Sequence, residues 1–331
     1  MTRLLWLTER GSRHQKQALD AAPPQLHVTM LRSALPTETH LANADILVSE
    51  RRGRISAELL NAAPHLKLIV RLGSLFDDID LAACQQRQIL VSCQPVIGAI
   101  STAEHVMLQI LSLLKRLNEV QAMTLAAHHS LPAARTDENT FSYNWFRFQK
   151  VETLRGKTVA IVGMGEIGVE LARRLHSFLP ARILYYKRNP YSKTVEQQLD
   201  ITYADFQTCV EVADILVCLL PYSKETDMLI NADVFQRMKP GSLLVHAGSG
   251  STVDEQALLE ALVHLGGAAL DTFEHEPLQS EHPLIAAARN PLNNLILTPH
   301  LAAGTGSPRR DSDYAEVMRF LAGEPLRHQI V

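Results

Sequence analysis

Short apolar runs alternate with amphipathic stretches in two series along the chain, and this alternation limits the possible folds more than any other feature. Strands that alternate with helices build a parallel sheet. The predicted strands of the first series are residues 4–7, 26–31, 45–49, 66–70 and 89–92, and those of the second are 158–163, 182–186, 214–220, 242–247, 267–273 and 294–300. Their near-continuous apolar character is typical of strands covered by helices on both faces. We therefore predict an α/β chain with two doubly wound parallel-sheet lobes, which suits a length of 331 residues.

A long segment lies between the two series. Residues 99–129 carry apolar residues at helical spacing. The pattern predicts one helix of roughly 30 residues, about 45 Å long. The stretch 130–156 is polar and aromatic without a clear period, and a last helix is predicted at about 308–321.

The composition excludes several classes of function. The chain carries 32 Lys and Arg against 35 Asp and Glu, so it lacks the basic excess that nucleic-acid binding requires. The apolar run 4–7 is too short for a signal peptide. The four cysteines form no disulfide framework and no metal-ligand spacing. We expect a cytoplasmic protein with no metal site and no nucleic-acid or membrane partner.

A glycine loop follows the strand at 158–163. Gly163, Gly165 and Gly168 form a GxGxxG motif that opens the next helix, with Glu166 and Ile167 inside it. Such glycines permit a tight turn, close approach of a pyrophosphate and close helix–strand packing, while the helix offers its free N–H groups. The motif in this context predicts a dinucleotide cofactor. A glycine turn without a ligand is the alternative.

The residues after the next strand bear on the choice of dinucleotide. An NAD site has an acidic residue at the end of this strand, whereas residues 182–186 run into Lys187 and Arg188. Two adjacent cations can make charge-assisted contacts to a 2′-phosphate. We predict that NADP is preferred over NAD. The alternative is that both charges are solvated and neutral groups hold the ribose.

Longer motifs make a family resemblance specific. They are VRLGSLFDDIDLAAC, TAEHVMLQILSLLKRL, LRGKTVAIVGMGEIG, LPYSKETDMLINADVFQRMKPGSLLVHAG, VDEQALLEALV, GAALDTFEHEPL, NLILTPHLAAGT and FLAGEPLRHQIV. Together they resemble the D-isomer-specific 2-hydroxyacid dehydrogenases, which include the glyoxylate/hydroxypyruvate reductases. The resemblance implies a discontinuous flavodoxin-like substrate-binding domain (1–100 plus 301–331) and a Rossmann NAD(P)-binding domain (101–300), with a small-molecule substrate between them.

The resemblance also implies roles for single residues. His300 matches the family's acid/base, and Glu276 matches the carboxylate that hydrogen-bonds it and favours its charged form. The formate-oxidising branch has a glutamine in place of Glu276. Asp271 matches the residue that binds the nicotinamide carboxamide. The resemblance places further cofactor contacts at Leu220, Pro221, Ala247, Gly248, His300 and Ala302, and substrate contacts at Leu72, Gly73 and Ser74.

One member of the family's catalytic set is missing. In the family, an Asn-x-Ala-Arg-Gly type motif supplies an arginine that binds the substrate carboxylate. Aligning VDEQAL places Ser249 at that arginine, and no arginine lies between Arg237 and Arg289. Such a loss typically costs about 3–4 kcal/mol of transition-state stabilisation. The glycine loop of the substrate lobe also departs from the family, with Leu75 and Asp78 in place of Gly and Asn.

Three explanations for the missing arginine compete. In the first, another cation compensates, with Arg71, Arg147, Arg309 and Arg310 as candidates. In the second, the substrate is a carbonyl compound or alcohol without the usual carboxylate, held by Ser249 and backbone N–H groups. In the third, the protein binds dinucleotide but turns over little, as a redox-sensing or interaction module.

The family is usually a homodimer, and residues 99–129 and 141–148 are the interface candidates. Trp145 either reaches across a dimer into the partner's cleft or packs in the interface. We expect His105 to pack or cap the long helix and Cys93 to be a buried, inert thiol. We expect His275 and His282 to face solvent.

Overall fold

The structure, a computed structural model, describes residues 1–32, 34–50, 53–304 and 310–331. Numbered along the chain, its strands are β1 (Thr2–Thr8), β2 (Leu26–Arg32), β3 (Ile46–Ser49), β4 (Leu68–Leu72), β5 (Leu90–Gln94), β6 (Thr158–Val162), β7 (Arg182–Tyr186), β8 (Thr202–Tyr203), β9 (Ile215–Cys218), β10 (Leu243–His246), β11 (Gly267–Leu270) and β12 (Leu295–Leu297).

Its helices are α1 (Ser12–Asp20), α2 (Glu38–Ala42), α3 (Ala57–Asn61), α4 (Leu81–Gln86), α5 (Ile97–Leu114), α6 (Leu117–Ala126), α7 (Glu166–Leu175), α8 (Lys193–Leu199), α9 (Phe206–Val212), α10 (Ala232–Arg237), α11 (Glu255–Ala261), α12 (Pro283–Ala288) and α13 (Ala315–Leu321). Short 3-10 turns occupy His176–Phe178, Gly250–Thr252, Pro291–Asn293 and Arg310–Tyr314.

The chain divides into two compact units. One comprises Met1–Gly98 and Thr305–Val331, and the other comprises Ala99–Gly304. These limits differ by a few residues from the domain boundaries expected from the family resemblance. The carboxyl end therefore lies in the same unit as the amino end.

The first unit contains a five-stranded parallel sheet in the order β2-β1-β3-β4-β5, the flavodoxin-like order. Side chains alternate between its two faces. Leu5 and Leu7 belong to the apolar cluster on one face, and Leu4 and Trp6 to the cluster on the other. The carboxyl end contributes Tyr314, whose ring meets that of Trp6 edge-on at 5.3 Å. The sheet is thus buried on both sides, as its continuous apolar strands predicted.

The second unit contains a seven-stranded parallel sheet in the order β12-β11-β10-β9-β6-β7-β8. The strand order reverses between β6 and β9, as in a Rossmann fold. The prediction of two doubly wound parallel-sheet lobes is therefore confirmed. Sequence reasoning missed β8, because a two-residue strand is too short to show a period.

The prediction of one long helix over 99–129 is wrong. α5 ends at Leu114 and α6 begins at Leu117, because Arg116 adopts a left-handed conformation with φ +48°. The Arg116 guanidinium explains the break: it pairs with Glu119 and donates to the carbonyl of Leu292 at 2.8 Å. α5 is long and apolar enough to cross a membrane by length and composition alone, but 56% of it is buried within the protein, as in a core helix.

The predicted carboxyl-terminal helix is shorter than expected. α13 begins at Ala315 and follows the 3-10 turn Arg310–Tyr314. The first residues of the predicted range, 308 and 309, lie outside the described residues.

Candidate functional site

The three glycines of the loop after β6 lie in different environments. Gly163 has φ +98°, and a Cβ there would lie 2.6 Å from the backbone of Leu219. A Cβ on Gly168 would lie 2.7 Å from Met164 Sδ in the loop and 3.4 Å from Ile161 Cγ2 in β6, so this glycine lets α7 pack closely against both. A Cβ on Gly165, the N-cap of α7, would meet no described atom within 4 Å. The backbone at Gly165 therefore leaves space for an anionic ligand at the amino end of α7, whose first residues are Glu166 and Ile167.

A cavity of about 560 Å³ adjoins this loop at the ends of β7 and β9, a volume typical of small-molecule sites. Six of the residues that we predicted to contact the cofactor line this cavity: Gly163, Gly165, Lys187, Arg188, Leu220 and Pro221. Lys187 Nζ lies 3.7 Å from the ring centroid of Tyr191, and Arg188 is exposed.

Glu225 lines the same cavity and was missed by sequence reasoning. A hydrogen bond from Ser223 lowers the pKa of the Glu225 carboxyl, and the charge of Arg188 adds a smaller effect. Glu225 follows β9 whereas Arg188 follows β7, so no local pattern connects them. This carboxylate opposes the positive charge of Lys187 and Arg188.

The turn after β10 packs closely against two neighbouring segments. A Cβ on Gly248 would lie 2.6 Å from Leu220 O, and a Cβ on Gly250 would lie 1.8 Å from Phe273 O. Both positions therefore require glycine. The backbone of this turn is fixed against the loops that follow β9 and β11.

Ser249 lies between these glycines and is held at both its backbone and its side chain. Its N–H donates to Leu220 O at 2.8 Å, and its Oγ accepts the N–H of Tyr222 at 2.9 Å. The neighbouring Ala247 donates its N–H to Cys218 O at 3.2 Å. Ser249 thus presents a hydroxyl group at a rigid position on the carboxyl edge of the sheet.

His246 ends β10, at the asparagine position of the family motif. It has no exposed surface, and neither ring nitrogen has a hydrogen-bond partner among the described residues. Burial lowers the pKa of His246 to about 4. The nearby backbone of Cys218 and Ser249 and the charges of Asp271 and Glu276 oppose this shift only in part. The imidazole is therefore neutral near neutral pH.

His300 and Glu276 form a pair beyond the carboxyl ends of β12 and β11. His300 Nδ1 lies 2.7 Å from Glu276 Oε2, while Glu276 Oε1 accepts the N–H of Phe273 at 3.1 Å. The contact orients the ring and leaves Nε2 as the nitrogen that can exchange a proton with a ligand. The His300 side chain is 56% exposed, so a ligand can reach it.

Asp271 holds the loop that carries His300. Its carboxylate, only 1% exposed, accepts the N–H of Leu301 at 3.1 Å and the N–H of Ala302 at 2.9 Å. His300 itself has φ +52°, a conformation uncommon outside glycine, so these bonds stabilise an unusual turn. The predicted contact of Asp271 with the nicotinamide carboxamide stays a prediction.

Thr298 connects this loop to α5 and was not anticipated. Its hydroxyl donates to Asp271 at 2.6 Å, and His105 Nε2 lies 3.0 Å from Thr298 Oγ1. Gln109 donates to the same oxygen at 3.3 Å. His105 therefore packs α5 against the loop, as predicted. The only sequence signal was one helical turn between His105 and Gln109.

Glu255 supports the loop that carries Glu276. One carboxylate oxygen accepts the N–H of Glu274 at 2.9 Å, and the other lies 3.2 Å from His282 Nε2. His282 also caps α12, so the prediction that it faces solvent is wrong. The His275 side chain is 84% exposed, as predicted.

The predicted substrate-binding residues lie in the other unit, at the end of β4. Leu72 and Ser74 are buried, and Gly73 has φ +151° and donates its N–H to Gln94 O at 2.8 Å. Cys93 is buried and its thiol faces Gly73 O at 3.1 Å, in keeping with an inert thiol.

The candidate compensating cations differ in their surroundings. Arg71 is fully buried, with Nη2 2.5 Å from Asp78 Oδ1. Arg310 lies 2.5 Å from Glu50 Oε1 and 2.6 Å from Asp313 Oδ2. Both guanidinium groups therefore have carboxylate partners within their own unit. The other two candidates are Arg147, which is exposed, and Arg309, which lies outside the described residues.

Comparison with known proteins decides the family. Residues 121–302 match the family model for the D-isomer specific 2-hydroxyacid dehydrogenase, NAD binding domain. The chain belongs to the D-isomer specific 2-hydroxyacid dehydrogenase family. The Rossmann order of its larger sheet and its GxGxxG loop agree with that assignment.

Similarity to individual proteins covers a longer part of the chain than the family model does. The chain is 32% identical over 292 residues to a D-3-phosphoglycerate dehydrogenase of Archaeoglobus fulgidus, covering 86% of this chain and 51% of that protein. It is 34% identical over 275 residues to a glyoxylate reductase of Thermofilum pendens, covering 82% and 76%. The chain thus spans about half the length of the first relative.

A solved structure of another protein has a fold similar to that of this chain. The D-lactate dehydrogenase of Aquifex aeolicus complexed with NAD and lactic acid is 25% identical, with a TM-score of 0.53, and the match covers 97% of this chain and 96% of that one. The site fits a nicotinamide dinucleotide on two observations: the open N-cap at Gly165 and the cavity beside Lys187 and Arg188.

Proposed function

We propose that the protein is an NAD(P)-dependent oxidoreductase. It acts on the CH–OH or C=O group of a 2-hydroxy/2-oxo acid or a related small carbonyl compound. The observation that carries this proposal is the 2.7 Å contact between His300 Nδ1 and Glu276 Oε2, which leaves an exposed imidazole on the carboxyl edge of a Rossmann sheet. The family and its relatives named as a glyoxylate reductase and a D-3-phosphoglycerate dehydrogenase support the reaction class.

Different residues would bind the cofactor and transfer the proton. The cofactor, when bound, supplies or accepts a hydride. The amino end of α7 would hold its pyrophosphate, and Leu220, Pro221, Ala247 and Gly248 would supply further backbone contacts to the cofactor. His300 Nε2 gives a proton to the carbonyl oxygen during reduction and takes it back during oxidation. Glu276 stabilises the charged ring in the orientation that this transfer requires.

A single substitution tests the acid/base role. His300→Asn removes the titratable group and keeps a polar side chain of similar reach. We expect kcat to fall by at least about 10²-fold while the Kd of NADPH stays within about twofold. Retained activity in His300→Asn would contradict the role. His275→Asn, at an exposed site directly before Glu276 in the chain, is the matched control.

NADPH is the proposed preferred cofactor. Lys187 and Arg188 at the cavity support this preference, and Glu225 works against it. Because a 2′-phosphate brings two negative charges close to these cations, we expect a lower KM for NADPH than for NADH. Equal values, or a lower KM for NADH, would show that the two cations do not select the cofactor.

A dinucleotide-binding module with little dehydrogenase activity is the second candidate. Ser249 at the position of the family's arginine favours it, whereas the His300–Glu276 pair speaks against it. The two candidates differ in one measurement. A binding module would bind NADPH with a micromolar Kd. It would not oxidise NADPH when glyoxylate, hydroxypyruvate, pyruvate or a neutral carbonyl compound is added.

The protein is also proposed to be a cytoplasmic homodimer that assembles through the nucleotide-binding unit. Leu117 and Leu125 of α6 are exposed, as are Phe141, Tyr143 and Trp145 in the following segment. Exposed apolar groups of this kind typically mark an interaction surface. Sedimentation of the wild type should give a dimer, and Tyr143→Ser with Trp145→Ser should shift it toward monomer. A monomeric wild type would contradict this assembly.

A further inference from the structure

The segment that carries Ser249, Asp271 and Glu276 has no permanent positive charge. It comprises residues 240–288, which contain no Lys or Arg. The same stretch contains seven carboxylates: Asp254, Glu255, Glu260, Asp271, Glu274, Glu276 and Glu281. An anionic group brought to this edge would find no permanent cation in the stretch to replace its water.

The imidazoles of His246 and His300 do not supply the missing positive charge. His300 is paired with Glu276, so a protonated His300 balances a carboxylate that is already present. His246 is buried, and burial disfavours its charged form. Asp271 adds a further buried carboxylate, whose oxygens bind N–H and hydroxyl donors of the His300 loop.

Ser249 offers a neutral hydrogen bond in place of a charge. Its Oγ already accepts the N–H of Tyr222, so its own O–H remains to be donated. The turn cannot shift to bring in another group, because Gly250 packs directly on the backbone of Phe273. A hydroxyl donor fixed in this way suits a carbonyl or hydroxyl oxygen of an uncharged molecule.

We propose that the substrate is a small carbonyl compound without a carboxylate, such as a hydroxyketone or a keto ester. This inference rests on the proposed oxidoreductase function. In the reduction, a C–H bond forms as the carbonyl carbon accepts a hydride from NADPH, and the C=O π pair moves to oxygen. The proton on His300 Nε2 goes to that oxygen. The products are a neutral alcohol and NADP⁺.

Matched substrate pairs test the proposal on the wild-type protein. Methyl pyruvate differs from pyruvate in that an ester replaces the carboxylate, and dihydroxyacetone differs from hydroxypyruvate in that CH₂OH replaces it. We expect kcat/KM to be at least about 10-fold higher for the neutral member of each pair. Higher values for the two acids would overturn the proposal and leave the oxidoreductase function standing. NADPH oxidation with none of the four would overturn both.

A charge inserted at the same position gives an independent readout. Ser249→Arg should raise kcat/KM for pyruvate relative to methyl pyruvate by about 10²-fold. Ser251→Arg, which adds the same charge two residues further along, should leave the ratio near the wild-type value. An unchanged ratio in a folded Ser249→Arg protein would contradict the proposal. If that variant does not fold, the wild-type pairs decide.

Discussion

Glu276 Oε2 lies 2.7 Å from His300 Nδ1, and the other oxygen of the same carboxylate is bound by the N–H of Phe273. The backbone of Phe273 in turn packs against Gly250, next to Ser249. The orientation of the imidazole is therefore determined by the backbone that also fixes Ser249. A change in either loop should affect both groups.

Glu276→Gln should lower kcat without weakening cofactor binding. The amide can still hydrogen-bond His300 but carries no charge to stabilise the imidazolium, so we expect kcat to fall by about 10²-fold. Steady-state kinetics across pH and NADPH titration measure the two effects. Glu274→Gln is the matched control, since it removes the same charge two residues away. Equal losses in both variants would contradict a specific role for Glu276.

Asp271→Asn separates two roles for Asp271. In the variant, the amide NH₂ would face the N–H group of Leu301 or Ala302, and two donors cannot hydrogen-bond each other. If Asp271 acts by holding the His300 loop, kcat should therefore fall by about 10-fold or more at unchanged KM for NADPH. If it binds the nicotinamide carboxamide, the KM for NADPH should rise as well. Asp233→Asn, at an exposed position on α10, controls for the loss of charge.

Two glycines of the dinucleotide loop should respond differently to alanine. Gly163→Ala introduces a Cβ at positive φ against the backbone of Leu219, so we expect a loss of at least about 2 kcal/mol in the free energy of unfolding. Gly165→Ala meets open space, so its unfolding free energy should change by about 1 kcal/mol or less. Its Kd for NADPH should rise at least about 10-fold, because the Cβ enters the space of the pyrophosphate. Urea unfolding and NADPH titration check both variants, and unchanged NADPH binding in Gly165→Ala would contradict the assigned pyrophosphate site.

His246 should make the fold sensitive to acid. Its pKa is about 4 in the folded protein, below the value of about 6.5 expected when unfolded, so the folded state binds fewer protons in this range. The stabilisation is complete above about pH 6.5 and is lost as the pH falls toward 4, by about 3 kcal/mol in all. His246→Asn should therefore lose less stability than the wild type between about pH 7 and pH 4.5 in urea unfolding. His275→Asn, at an exposed site, should behave like the wild type, and a His246→Asn protein that does so too would contradict this origin of acid sensitivity.

The sequence was informative where local chemistry decides the structure. Apolar strand runs predicted both parallel sheets, and the spacing of Gly163, Gly165 and Gly168 predicted a loop in which two glycines pack closely on neighbouring atoms and Gly165 faces open space. The break between α5 and α6 was not predictable, because Arg116 is held by the carbonyl of Leu292, far away in the chain. The same holds for Glu225 and Thr298, which reach their sites only through the order of the strands.

The acid/base role of His300 is tested most directly by NADPH oxidation with both acidic and neutral carbonyl compounds, measured for the wild type and for His300→Asn, together with the Kd of NADPH for each protein. We predict oxidation by the wild type with at least one compound, and a rate at least about 10²-fold lower in His300→Asn at an unchanged Kd. Tight NADPH binding by the wild type without oxidation by any of the compounds would contradict this prediction.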